Sequence, residues 1–264
     1  MQEKTKIRFT VAYDGTGYCG WQKQKQEGQI SVAHTIEKSL EKVFNEKITL
    51  FASGRTDAGV HALNQVCHFT THRKIDPAKN WDVCWAINSK LPPGIVAKKA
   101  WIAPDDFHAT ISATHKTYRY LIINRQRPSA HLTRYADWIR KPMNLEHMQE
   151  SSQYLVGNHD FKSFQSVGTP IIDTVRTVYQ ANWEWRKPGV AQFTITGSGF
   201  LKQMVRNIVG TACQLEQKGL NPSKMLEILQ TKDRKYAGPA APAQGLYLMR
   251  VYYPQDLDNR CLEL

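Results

Sequence analysis

The order in which strand and helix patterns succeed one another limits this chain more than any other feature. "KIRFTVAY" sets Ile7, Phe9, Val11 and Tyr13 on one face of an extended segment, an apolar period of two. Ser31 then caps a helix whose Ile36, Leu40, Val43 and Phe44 form a single stripe. "ITLFAS" and "LNQVCHFTT" read as a strand pair joined by a short loop at Arg55–His61. Residues 79–90 predict a helix with Trp81, Cys84 and Trp85 on its apolar side, and "IVAKKAWIA" predicts a further strand.

The same order then returns less cleanly, without a residue-level repeat. "KTYRYLIIN" is a strand, and Asn144 caps a helix carrying Leu145, Met148 and Leu155 that stops at Gly157. "TVRTVYQANWEW" and "AQFTITGSG" form a strand pair, followed by a helix with Met204, Val205, Ile208, Val209, Ala212 and Cys213 on one face, ending at Gly219. Asn221-Pro222 opens a short helix, and "GLYLMRVYY" closes as a strand. Two β-α-β-β-α-β units in one chain predict an α+β protein of two ferredoxin-like halves with a cleft between them. The halves are expected at residues 1–105 and 106–264, and a chain of 264 residues is long enough to give them a sizeable core.

Charge narrows the partner. Lys and Arg number 35 against 23 acidic residues, a net +12 with a pI near 9.5. Such a surplus favours a polyanion, because neutralised phosphates release condensed counterions, with an ordinary solvated surface as the alternative and membrane lipid as the weaker one. No apolar run approaches membrane-spanning length, and the start "MQEKTKIRF" lacks the apolar core of a signal peptide, so a cytoplasmic protein without membrane partner is expected. Five scattered cysteines without a C-x-x-C pattern read as reduced structural thiols and exclude a cysteine-rich zinc site. A zinc pair at His68 and His72 is the weaker reading of those histidines.

"YDGTGYCGWQ" holds Gly15, Gly17 and Gly20 in the spacing of a dinucleotide-binding turn. That turn needs its glycines to open a helix, so that free N–H groups meet the pyrophosphate. Here Trp21 and a polar run follow, and the helix waits until Ser31. The glycines are therefore expected to form a tight turn. "SGRTDAGVHA", with Arg55 and Asp57 between Gly54 and Gly59, reads from its residues alone as a polar turn, with Gly59 at positive φ.

"YDGTGYCGWQ", "GRTDAGVHA", "FHATISATHKTYRY", "GNHDFKSF" and "GSGFLKQMVRNIVG" occur in the order found in the tRNA pseudouridine synthase A family, which the chain resembles from about residue 7 to 253. The resemblance implies the pseudouridine synthase fold, a mainly antiparallel sheet made of two ferredoxin-like halves and flanked by helices, a homodimer, and isomerisation of uridine to pseudouridine at positions 38–40 of the tRNA anticodon stem-loop. No cofactor and no metal are implied. It makes Asp57 the catalytic residue and Arg206 its cationic partner. Arg55 becomes the arginine that helps extrude the target base, Tyr118 the ring stacked on it, and Leu246 the apolar residue on its other side. Read as residues alone, Arg206 is a partly buried cation beside an apolar stripe, and Tyr118 and Leu246 are strand packing. Lys23, Lys25, Arg125 and Arg127, in two basic loops, are the candidate phosphate contacts. His61 is a candidate for RNA contact or for packing. One departure stands out: "FHAT" ends in Thr110 where the family often has arginine, which removes one RNA or structural contact. Two other readings remain at this stage, a pseudouridine synthase of altered RNA specificity and a tRNA-binding protein without catalysis.

Overall fold

The computed structural model describes residues 4–22, 28–79, 81–166, 168 and 173–264. Its elements are β1 (Thr5–Tyr13), α1 (Val32–Phe44), β2 (Phe51–Ala52), β3 (His61–Thr71), α2 (Val83–Asn88), β4 (Ile95–Ile102), β5 (His115–Asn124), β6 (Asp137–Ile139) and α3 (Leu145–Gln153). There follow β7 (Gly157–Asp160), β8 (Val175–Lys187), β9 (Val190–Gly197), α4 (Met204–Gln217), α5 (Lys224–Thr231), β10 (Leu246–Tyr252), α6 (Gln255–Asn259) and β11 (Leu262–Glu263). Two compact units divide the chain, one of Met1–Thr114 with Leu248–Leu264, the other of His115–Tyr247. Among the described residues no helix is long and apolar enough to cross a membrane.

In the first unit β1 lies between β3 and β4, β2 pairs β3, and every one of these pairings is antiparallel. The order β4-β1-β3-β2 is that of a ferredoxin-like β-α-β-β-α-β unit. The alternation read in β1 is real burial: Ile7, Phe9 and Val11 are wholly enclosed and Tyr13 nearly so. Each such side chain contributes roughly 1.5–3 kcal/mol. Ser31 caps α1 by accepting from the His34 N–H at 3.2 Å, and Ile36, Leu40 and Phe44 are buried. The last strand, β11, pairs antiparallel with β4.

The second unit follows a related order with two added short strands, β6 and β7. β9 lies between β5 and β8, all antiparallel, β7 flanks β8, and β6 runs parallel to β5. Asn144 caps α3 by accepting from the N–H groups of Glu146 and His147. Helix α4 buries Met204, Val205, Ile208, Val209, Ala212 and Cys213, the face expected from their spacing.

Three local readings need correction. The helix expected over 79–90 is only Val83–Asn88, with Asp82 as its cap accepting from Trp85 N–H at 2.8 Å. Its buried side is Val83, Ala86 and Ile87, while Trp85 is 70% exposed. In less than two turns, two stripes two residues apart satisfy the same spacing, and the neighbouring strands decide between them. Trp81 precedes the helix, with the Arg73 guanidinium 4.1 Å from its ring centre. The strand read in "ITLFAS" shrinks to Phe51–Ala52. Helix α3 ends at Gln153, so Leu155 is buried in the turn beyond it and Gly157 opens β7.

Candidate active site

Asp57 lies in the loop between β2 and β3, and the opening glycine motif frames that loop. The Tyr13 hydroxyl is 2.8 Å from Thr56 Oγ1, and the Trp21 N–H donates to the Thr56 carbonyl at 3.0 Å. A Cβ on Gly20 would stand 2.7 Å from that same carbonyl oxygen and 3.0 Å from the Ala58 nitrogen. A Cβ on Gly15 would stand 2.1 Å from the Val60 oxygen. Two glycines of the motif thus let one backbone lie directly on another. The Gly15 N–H donates to His61 Nδ1 at 3.1 Å, and Asp14 Oδ1 is 3.2 Å from the same nitrogen. His61 is buried and packs the frame.

The loop closes as a turn, with the Val60 N–H on the Asp57 carbonyl at 3.2 Å and Gly59 at φ +77°. Its other shoulder is held by Gln65, fully buried, whose amide donates to the Gly54 carbonyl at 2.8 Å. Between these braces Asp57 is half-buried and Arg55 exposed. Gln65 was not foreseen from the sequence; its polar side chain at a buried strand position was the only signal.

Beside Arg55 the first unit has a cavity of about 400 Å3, walled in part by Trp21, His34, Glu37, Phe51 and Thr110. Thr110, at the family's arginine position, donates from its hydroxyl to the Ala52 carbonyl at 2.6 Å. His68 lies under Phe51, rings stacked at 4.9 Å, and its Nδ1 accepts from the Ala109 N–H at 3.2 Å. Burial first, then His108 and Lys6, lower its pKa to about 4.

In the second unit Tyr118 is buried on β5, with Phe200 edge-on at 5.1 Å. Lys116 stands two residues before it on the same strand face, and burial pushes its ammonium pKa down. Arg206, in the first turn of α4, is half-buried, and its Nε donates to the Ala241 carbonyl at 2.8 Å. The Ala241 N–H returns a bond to the Arg206 carbonyl at 2.9 Å, which ties the segment 239–241 to the helix. Leu246, at the start of β10, is buried. Arg125 and Arg127 are exposed, and Arg125 Nη2 donates to the Pro188 carbonyl at 2.8 Å. Lys23 and Lys25 lie outside the described residues.

Comparison with known proteins fixes the family. The family model described as tRNA pseudouridine synthase matches residues 10–110 and 152–254, most of the chain. This chain belongs to the tRNA pseudouridine synthase family. It is 80% identical over 260 residues to the tRNA pseudouridine synthase A of Bdellovibrio bacteriovorus, covering 98% of this chain and 99% of that one. Identity to the Bacillus subtilis protein of the same name is 41% over 250 residues, covering 94% and 99%. A solved Cbf5-Nop10-Gar1 complex shares 10% identity at a TM-score of 0.37 over 92% of this chain and 49% of that one, a likeness too faint to weigh. The protein is thus an isomerase with the pseudouridine synthase fold. The stretches matched to the synthase family contain Asp57, Arg55, Arg206 and Leu246, while Tyr118 falls between them.

Proposed function

We propose that this synthase isomerises uridines at positions 38–40 of the tRNA anticodon stem-loop, with Asp57 as the carboxylate that engages the nucleotide. Identity of 80% to a protein named for tRNA supports the substrate class. The observation that carries the role of Asp57 is the frame around its loop, built by Tyr13, Gly15, Gly20 and Trp21. A reacting group has to be held near its productive geometry, whereas an idle polar turn needs no such support.

The reaction rearranges bonds within one nucleotide. The bond from C1′ to N1 breaks, the base turns, C5 bonds to C1′, C5 loses its proton and N1 gains one. Electrons balance without oxidant or reductant. Attack on the sugar, attack on the base, and proton removal towards a glycal all require an ionised carboxylate. Arg206 serves as the cation that favours that form, offsetting desolvation. Arg55 helps draw the base from its stack, a step that costs a few kcal/mol. Tyr118 stacks on the extruded ring, worth ~1–3 kcal/mol, and Leu246 covers its other face. Arg125 and Arg127, with Lys23 and Lys25, meet phosphates, and the working form is a homodimer in the cytoplasm.

The test is carbodiimide-stop mapping of pseudouridine in tRNA from a strain lacking the gene, complemented with wild-type or Asp57→Ala protein. The reading requires the modification at 38–40 to vanish, to return with the wild type, and to stay absent with the variant. Anticodon stems unchanged by the deletion would overturn the site assignment.

A further inference from the structure

The cavity beside Arg55 has a place in the fold that the proposed chemistry of Asp57 does not use. Its volume of about 400 Å3 lies in the range of small-ligand sites. Asp57 is not among the residues that wall it. We infer that it receives a second, non-reacting base of the same RNA strand, close to the isomerised uridine, and that it prefers a base carrying an amino group over uracil. This inference rests on the proposed uridine isomerisation.

The walls are set before any ligand arrives. Trp21 is buried and fixed through the Thr56 carbonyl, and Thr110 is tied to Ala52. Glu37 Oε1 accepts from the Leu50 N–H at 3.1 Å, which holds one carboxylate oxygen and orients the other. Phe51, 43% exposed, is backed by the stacked ring of His68. A preformed site loses little entropy on binding.

The chemistry of those walls is that of a base pocket. A carboxylate accepts N–H bonds and donates none while ionised, so Glu37 matches the amino group of cytosine, adenine or guanine, whereas the single edge donor of uracil, N3–H, is flanked by two carbonyl oxygens that repel the carboxylate. The partly exposed ring of Phe51 offers apolar contact to a base, and Arg55 at the rim offers charge for the phosphate linkage. Arg55 and Asp57 are two residues apart, at most ~7 Å along the backbone. Bases follow one another at ~3.4 Å along a stacked strand. A neighbour one or a few steps from the reacting uridine is therefore within reach. Sequence register near the target would then be read here, away from the chemistry.

The experiment is a coupling measurement. Anticodon stem-loop RNA is made with a single abasic residue at each position flanking the target uridine in turn. Binding to wild-type, Glu37→Gln and His34→Ala proteins is measured, with product formation followed in parallel. Glu37→Gln keeps an acceptor for Leu50, and His34→Ala leaves the backbone group that Ser31 caps. The expected result is one abasic position that weakens wild-type binding roughly tenfold and costs markedly less in both variants. Replacing the base there by uracil should weaken the wild type more than Glu37→Gln. Abasic penalties identical in all three proteins would overturn the pocket, while product still formed by the wild type would leave the isomerase reading standing. Binding without product in the wild type would instead remove the isomerase reading on which the pocket depends.

Discussion

A methyl group at residue 20 would meet the backbone of the Asp57 loop, and φ at Gly20 is +102°, where an L side chain is strained as well. Gly20→Ala is therefore expected to displace the loop and lower kcat about a hundredfold, since misplacements near 1 Å carry losses of that order. Gly17 provides the control: its φ is +82° but nothing lies within 4 Å of its would-be Cβ. Gly17→Ala should cost ~1 kcal/mol of stability and leave kcat near wild type, as steady-state kinetics and urea titration will show. His68 supplies a pH prediction. Its folded pKa of about 4 lies below the ordinary 6.5, so the neutral ring stabilises the fold above pH 6.5. That stability is lost as pH falls from 6.5 through about 4, because protonated Nδ1 can no longer accept from Ala109. Urea midpoints at pH 7 and pH 5 should differ less for His68→Gln than for wild type. From its residues alone, Asp57 could not be told from the aspartate of any polar turn. The bonds that distinguish it join residues some 40 positions apart, such as Tyr13 and Thr56, and no local pattern carries them.

Helix α4 has a glycine in its middle, where alanine would ordinarily gain about 1 kcal/mol. A Cβ on Gly210 would stand 1.8 Å from the Pro239 oxygen, so the sign reverses. Gly210→Ala should destabilise the protein by ~1–3 kcal/mol through overpacking. It should also loosen the segment 239–241 that holds the Arg206 guanidinium, lowering activity beyond what the stability loss explains. Thermal melts beside activity at a temperature where the variant is folded separate the two effects. Elements with strong local signals were legible: the alternation of β1, the caps Ser31 and Asn144, the stripe of α4. Helix α2 was not, because its true start depends on Asp82 capping and its buried face on the strands beneath. Strand β2 was overread because apolar "ITL" lies outside the two residues that pair with β3.

At the scale of the molecule the basic surplus, net +12, is the property that favours a phosphate backbone as partner. If about 5 phosphates are neutralised, tRNA affinity should fall roughly 100- to 500-fold between 50 and 200 mM salt. Filter binding across that range checks this, and a flat response would deny a phosphate-led interface. The strand–helix order was legible at this scale: the first unit carries all six elements, while the strand that closes the second repeat, β10, falls mostly in the first unit. The return of Leu248–Leu264 to the first unit was not. It depends on distant pairs such as Arg8 with Asp258, and the Tyr253 hydroxyl on the Ala109 carbonyl at 2.7 Å. The central claim is that one carboxylate turns a tRNA-binding protein into an isomerase. Its most direct test is single-turnover tritium release from tRNA labelled at uridine C5, with Asp57→Asn compared with wild type at matched tRNA occupancy. Wild type should release the label and Asp57→Asn should bind as tightly yet release none above background; release by the variant at a rate near wild type would contradict the account.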